Sequence, residues 1–289
     1  MTTNKNTLEH IIHGIFLLMG LVAVGCVLLI TVYLVISGIP AILEIGLIDF
    51  LFGKEWASTA TDPKYGIWAF ILTSIYGTAG AIVIGVPIGF MTAVYLSKLA
   101  SPKVKSMMQS AVSLLAGIPS VVYGLVGMLV LVPGIRKIFG VPDGASLLAA
   151  IIVLAIMILP SIIKMSITAL DAVPKEYEDA SLALGATPIE TYFKVSVPAA
   201  KSGIAAAVVL GVGRAIGEAM AVMMVAGNVP NMPDSIFQSV RFLTTAVSSE
   251  MAYSSGLQQQ ALFSIALVLF LFIMLINATL NFFLKRETE

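Results

Sequence analysis

Arg214 and Glu218 are ionisable residues inside an apolar run over 199–225, and their i, i+4 spacing places them on one helix face, where they can pair. Two chemistries suit that pair. Glu218 can neutralise Arg214 and pin the helix against a neighbour, or the guanidinium can offer bidentate donors to an oxyanion while Glu218 holds it in place and limits how tightly the anion is held. A charge near the bilayer middle costs several kcal/mol unless it is paired or faces water, so either reading turns this face away from lipid. Other reactive groups are few. His10 and His13 stand at i, i+3 without a third ligand and make a poor metal site. Cys26 is a single cysteine in an apolar run and forms no intrachain disulfide. The patterns GxxxxGK[ST], HExxH, GxSxG and CxxC are absent, so the chain carries no handle for hydrolysing nucleotide itself or for the commonest metal and nucleophilic chemistries. Catalysts drawn from separate helices stay open.

The elements that position Arg214 follow from composition. With 289 residues, 58% hydrophobic and 11% charged, and a mean hydropathy of +1.01, the chain lacks the polar surface of a soluble domain. It reads as an all-α integral membrane protein. Net charge is zero and no basic block occurs, which gives no nucleic-acid footprint. Apolar runs predict six transmembrane helices, within 14–36, 65–97, 110–132, 145–163, 199–225 and 261–283. The first is too long for a signal-peptide core and lacks a following cleavage site, so it is expected to be retained. Gly77, Gly80, Gly85 and Gly89 mark the second for close packing. Gly117, Pro119, Ser120, Tyr123 and Gly124 suit either a bent third helix that lines an interface or cavity or packing positions that lipid tolerates.

These helices make one membrane domain over 14–285, preceded by segment 1–13, followed by tail 286–289, and interrupted by loops 37–66 and 226–260. The termini, the 98–105 loop and the 171–198 region with its flanking Lys164 and Lys201 hold ten basic residues against five in the opposite loops. The positive-inside rule therefore places both ends and 171–198 in the cytoplasm, with Arg136 and Lys137 as a local exception.

Segment 171–198 is a polar hinge between apolar runs. Asp171 and Pro174 signal a helix start, and Gly185 supplies the left-handed stop after Leu184. Thr187, Pro188 and Glu190 form a capping box that starts a second short helix. Tyr177, Ala180, Ser181 and Leu184 stripe the first helix, and Ile189, Tyr192 and Phe193 stripe the second. Such faces fit a groove in a soluble partner, or rest on the bilayer or on the protein itself.

From Asp179 the hinge reads Asp-Ala-Ser, three residues, Gly185, nine residues, Val195, one residue, Val197 and Pro198. It resembles the EAA loop of ABC importer permeases, EAA-x3-G-x9-I-x-L-P, with the spacing intact. Asp179, Ser181, Val195 and Val197 depart from that pattern conservatively. The stretches 116–124, AGIPSVVYG, and 213–228, GRAIGEAMAVMMVAGN, are similar to segments of the phosphate-specific branch, the second more to its C-type than its A-type subunit. The resemblance spans about 68–285. It implies a type I (MetI-like) permease fold without catalytic residues of its own. Asp179, Ala180, Gly185 and Pro198, with Tyr192 and Phe193 beside them, would couple to an ATPase; Arg214 and Glu218 would line the substrate path, and Ser120 and Tyr123 are weaker candidates there. The implied assembly contains a homologous A-type permease, two ATPase subunits that bind ATP and Mg, an extracytoplasmic phosphate-binding protein, and phosphate as cargo. A permease for another oxyanion or solute, a membrane scaffold and an intramembrane enzyme are the alternatives.

Overall fold

The computed structural model describes the backbone of residues 3–286. Residues 1–2, residues 287–289 of the expected tail and the His10 side chain lie outside that description. Helix α1 runs Thr3–Ile45, well past the minimal span expected within 14–36, and a short α2 (Leu47–Phe52) follows. The paired strands β1 (Trp56–Ala57) and β2 (Lys64–Tyr65) form a small antiparallel hairpin. Helix α3 (Trp68–Val94) then continues through a π-helical turn to Leu99.

Helix α7 (Leu147–Asp171) is the axis of the bundle, with its leucine, isoleucine and alanine side chains largely buried. Ile151, Ile158 and Ile162 project from it into hollows where α3 has Gly80, Gly85 and Gly89. A methyl at those glycines would lie 2.7–2.9 Å from the isoleucine carbons, so the glycines allow the helix backbones to approach closely. The opposite end of α7 is sealed by a loop. Its first amides, on Leu147 and Leu148, donate to the carbonyls of Gln238 and Ile236 at 3.1 and 2.8 Å. Ser146 caps the helix by accepting from the Ala149 amide at 3.4 Å.

The third expected span divides differently. Helix α4 (Pro102–Gly117) stops before Pro119, and the membrane-length segment is Ser120–Phe139, made of α5 (Ser120–Val126), a π-helical turn and α6 (Val132–Phe139). Pro119 has no amide proton and pushes Ile118 into extended backbone, with ψ 127°, which ends α4 there. Pro133 occupies the first turn of α6, where a missing amide costs nothing.

Beyond α7 lie α8 (Lys175–Ala183), α9 (Pro188–Thr191), a π-helical turn and α10 (Val197–Ala199). Asp171 is the last residue of α7, two turns beyond the boundary expected at 163, rather than the start of α8. Helix α11 (Lys201–Gly217) meets the Pro188–Ala199 segment at a 71° bend. The expected fifth span is thus bent at one end and also broken at the other, where α12 (Met220–Val225) begins as a separate helix. Loop 226–242 leads to α13 (Leu243–Glu250), and α14 (Gly256–Arg286) closes the chain by packing on the end of α1. Ser264 Oγ donates to the Gly38 carbonyl at 2.5 Å across that contact. Among the described residues, five helices are long and apolar enough to cross a membrane, and the bent pair makes six.

Candidate functional site

Arg214 sits in the last turn of α11, and its Nη1 donates to Ser161 Oγ on α7 at 3.3 Å. The helix ends at Gly217, leaving Glu218 in extended backbone with φ −75° and ψ 129°. Glu218 Oε1 accepts the Ala221 amide at 3.1 Å, while its carbonyl accepts from Thr244 Oγ1 at 2.8 Å. A carboxylate in this position satisfies a free amide at the start of α12 and complements the helix dipole. The i, i+4 pairing expected from sequence therefore does not form, because the helix on which it depends breaks between the two residues. Arg214 has no carboxylate partner among the described residues.

The two interrupted spans touch each other. A Cβ on Gly124 of α5 would fall 2.9 Å from Ala221 Cα and 2.8 Å from Met224 Sδ, so α5 and α12 are in backbone contact. Half-buried Ser120 opens α5. Tyr123 donates its hydroxyl to the Leu115 carbonyl at 2.8 Å, joining α4 to α5 across the Pro119 interruption. Its hydroxyl proton is thereby engaged.

The hinge has its own internal structure. Gly185 adopts φ +89° and its amide donates to the Leu182 carbonyl at 3.0 Å, which turns the chain between α8 and α9. Thr187 and Glu190 form the expected capping box, with amide contacts of 3.1 and 3.3 Å. Ser181, placed by spacing on the outward stripe, bonds Thr191 Oγ1 at 2.9 Å and holds the two helices together. Apolar side chains remain outward among charged ones: Tyr177, Leu182, Leu184, Ile189 and Phe193 are exposed, Leu184 by 90%, beside Lys175, Glu176, Glu190 and Lys194. Asp179, Ala180, Gly185 and Pro198 are exposed as well, and Tyr192 is half-buried.

Glu178 ties this hairpin to the bundle. Its Oε1 accepts from Lys98 Nζ at 2.6 Å and from Ser196 Oγ at 2.8 Å. Burial pushes the carboxyl up, but the bonds from Lys98 and Ser196 and the charges of Lys98 and Lys175 outweigh it and hold Glu178 below the usual glutamate range. Asp171 receives Ser97 Oγ at 2.6 Å and Lys105 Nζ at 3.0 Å. At the other end of the bundle, Glu250 gathers Arg241, Trp56 Nε1, Ser58 Oγ and Gln258 Nε2, joining the β-hairpin to α13 and α14. Sequence reasoning missed Ser161, Lys98, Glu178 and Glu250. Their partners are 53, 80 and up to 194 residues away, or lie on another element, so local spacing carried no signal for them.

A multi-pass helical bundle with interrupted spans, an unneutralised arginine beside one interruption and a polar two-helix hinge that exposes apolar side chains outside the bundle defines a membrane-embedded transport component. Residues 85–287 match the model described as binding-protein-dependent transport system inner membrane component, and the chain belongs to that family. It is 41% identical over 266 residues to the probable ABC transporter permease protein YqgH of Bacillus subtilis, covering 89% of this chain and 86% of the relative. It is 34% identical over 242 residues to the phosphate transport system permease protein PstC of Pasteurella multocida, covering 77% and 75% of the two chains. Among solved structures, a bacterial alginate ABC transporter in complex with an alginate-bound periplasmic protein aligns with TM-score 0.62 and 16% identity over 95% of this chain and 94% of that one. An inward-facing MetNI methionine ABC transporter aligns with TM-score 0.58 and 21% identity over 78% and 95% of the two chains. These two likenesses carry the fold, which agrees with the MetI-like architecture expected from the hinge pattern.

Proposed function

We propose that this chain is a transmembrane permease subunit of an ATP-driven phosphate importer, contributes half of the translocation pathway and performs no chemistry of its own. The observation that carries the anion reading is Arg214: a guanidinium inside the bundle, held by a serine hydroxyl and not neutralised by Glu218. It keeps bidentate donors for an oxyanion. Relatives named as phosphate transport permeases support phosphate as that oxyanion.

In this reading a homologous A-type permease completes the pathway, and two ATPase subunits, which bind ATP and Mg, dock on the hinge face through Leu184, Ile189, Phe193 and the neighbouring Asp179, Ala180, Gly185, Tyr192 and Pro198. The hinge and both termini face the cytoplasm, and loops 37–66 and 226–260 face a phosphate-binding protein outside. Closure of the ATPase pair on ATP moves the hinges. The Lys98–Glu178 and Lys105–Asp171 pairs pass that movement to α3, α4 and α7 as a rigid-body swing between inward- and outward-facing states. Arg214 gives the passing anion a contact that is released again, since a carrier that held it tightly would not transport.

Uptake of radiolabelled phosphate by the assembled complex, compared with sulfate and molybdate, tests the reading. ATP-dependent phosphate uptake that is lost in Arg214→Gln while the subunits still co-purify is the expected result. Uptake of another oxyanion in its place would transfer the reading to that solute. ATPase subunits that fail to co-purify, together with no uptake defect on deletion, would favour a scaffold.

A further inference from the structure

Below Arg214, on the hinge side, an open cleft of mixed polar and apolar lining lies between α4 and α7 and extends along α4, and the reading above leaves it unused. One part, of about 320 Å³, is lined by Gln109, Val112, Ser113, Ile163, Lys164 and Thr168 among others. A second, more open part of about 510 Å³ is lined by Ser106, Gln109, Ser110, Ser113 and Leu114, so the two share Gln109 and Ser113. On α4 the residues Ser106, Gln109, Ser110 and Ser113 recur at i, i+3, i+4 and i+7 and form one polar face. On α7 the residues Ser161, Lys164 and Thr168 recur at i, i+3 and i+7.

The upper end of this row is Ser161, the residue that holds Arg214. The lower end is closed by Lys105 of α4 on Asp171 of α7, at 3.0 Å. Between them stands Lys164, exposed and without an ion pair among the described residues. It lies seven residues before the last residue of α7, which at 1.5 Å per residue is roughly 10 Å inside the helix end. Lys164 directly follows the apolar run 145–163 and is exposed, so it stands at the hinge-side edge of the membrane, where its ammonium reaches water. The hydroxyls and amide opposite add polar partners there.

We propose that the α4–α7 cleft is the inward segment of the anion path and that Lys164 is a second cationic contact, which receives a tetrahedral oxyanion after it leaves Arg214. The inference rests on the reading of the chain as an anion importer. A lysine suits that place because its compact, hydrated ammonium lacks the bidentate fork of arginine, so it attracts the anion without gripping it. The Ser113 and Ser106 hydroxyls can donate to the oxyanion as it moves toward the hinge, while Ser110 gives its proton to the Ser106 carbonyl at 2.9 Å.

The test uses the complete transporter in liposomes, with Cys26→Ser as background and Ser113→Cys as reporter. The introduced thiol is reacted with an anionic sulfonate methanethiosulfonate and with its cationic trimethylammonium counterpart. With Lys164 present the anionic reagent is favoured and phosphate slows its reaction. Lys164→Met lowers the anionic-to-cationic rate ratio roughly tenfold, as expected for loss of local electrostatic focusing. Phosphate uptake falls by a similar factor in Lys164→Met and by less in Lys164→Arg, which keeps the charge, and so the reagent ratio, but holds the anion longer. An unreactive thiol, or a ratio that does not respond to Lys164→Met, overturns the proposal. Should Lys164→Met fail to assemble, protection of the thiol by phosphate in the Lys164-containing protein supports the path, and absence of protection overturns it. If the parent complex takes up no phosphate yet the ratio still depends on Lys164, the phosphate reading falls while the anion path stands.

Discussion

Lys98 Nζ lies 2.6 Å from Glu178 Oε1, with side-chain exposures of 11% and 18%, and this pair fastens the first hinge helix to the end of α3. Ser196 Oγ adds a bond from the segment after α9, so one carboxylate joins three parts of the chain. Glu178→Gln keeps the shape but leaves the Lys98 ammonium half-desolvated and unpaired. We expect a loss of about 1–3 kcal/mol, as for other buried polar groups deprived of a partner. A lower unfolding temperature of the purified complex and faster proteolysis at the hinge would register it.

The same carboxylate gives a pH dependence. Its folded value is lowered, so its contribution is complete above the unfolded glutamate value of about 4.3 and is lost as pH falls through the lowered folded value. Hinge proteolysis should therefore be flat across neutral pH and rise only in acid. In Glu178→Gln this acid-dependent component should disappear.

Gly185 combines φ +89° with open space, since an added Cβ would meet nothing within 4 Å. Any penalty for a side chain there is conformational. Gly185→Val should cost about 1–2 kcal/mol or more in hinge stability, and Gly185→Asn less, because asparagine tolerates the left-handed region. Co-purification of ATPase subunits, ranked glycine, asparagine, valine, checks the order. An equal yield from all three would remove Gly185 from the coupling.

Arg214 and Glu218 should separate in their effects because they have different partners. Arg214→Gln is expected to abolish or strongly reduce uptake with assembly intact. Glu218→Ala removes the acceptor for the Ala221 amide and should cost about 1 kcal/mol of stability, typical of a lost helix cap. Glu218→Gln keeps an acceptor oxygen and should retain most of it. Thermal unfolding beside uptake distinguishes capping from a direct role: a Glu218→Gln protein that is stable but inactive would restore Glu218 to the anion path.

Glu250 is an acceptor for Arg241, Trp56, Ser58 and Gln258. Glu250→Ala leaves the partly buried Arg241 without its counter-charge, held only by the Asn228 carbonyl, and the Trp56 indole N–H without an acceptor, and a destabilisation of about 3 kcal/mol is expected for breaking such a pair. A red-shifted tryptophan emission, as Trp56 gains water, gives the readout. An unchanged spectrum and unfolding temperature would show that the β-hairpin seats itself without Glu250.

Much of the hinge was legible because its signals are local. A capping box needs residues three apart, and a left-handed glycine stop needs one position, so Thr187, Glu190 and Gly185 did as their types dictate. Apolar run length gave the spans for a similar reason. The failures came where one residue had to be weighed against a distant one. Nothing near Asp171 distinguishes a helix start from a helix end, and Ser97 and Lys105 decide it by bonding its carboxylate as the last residue of α7.

By itself, the sequence determined a membrane-embedded helical chain with a polar two-helix hinge, because hydropathy and caps act over one or two turns. Tertiary structure alone decided what Arg214 touches. Gly217 and Glu218 end α11 where α12 packs on α5 and where Thr244 takes the Glu218 carbonyl. Those contacts come from elements far along the chain, and they outweigh the weak local preference that would have carried one helix through both charges. The arginine is thereby left with Ser161 and the cleft below it instead of a neighbouring carboxylate.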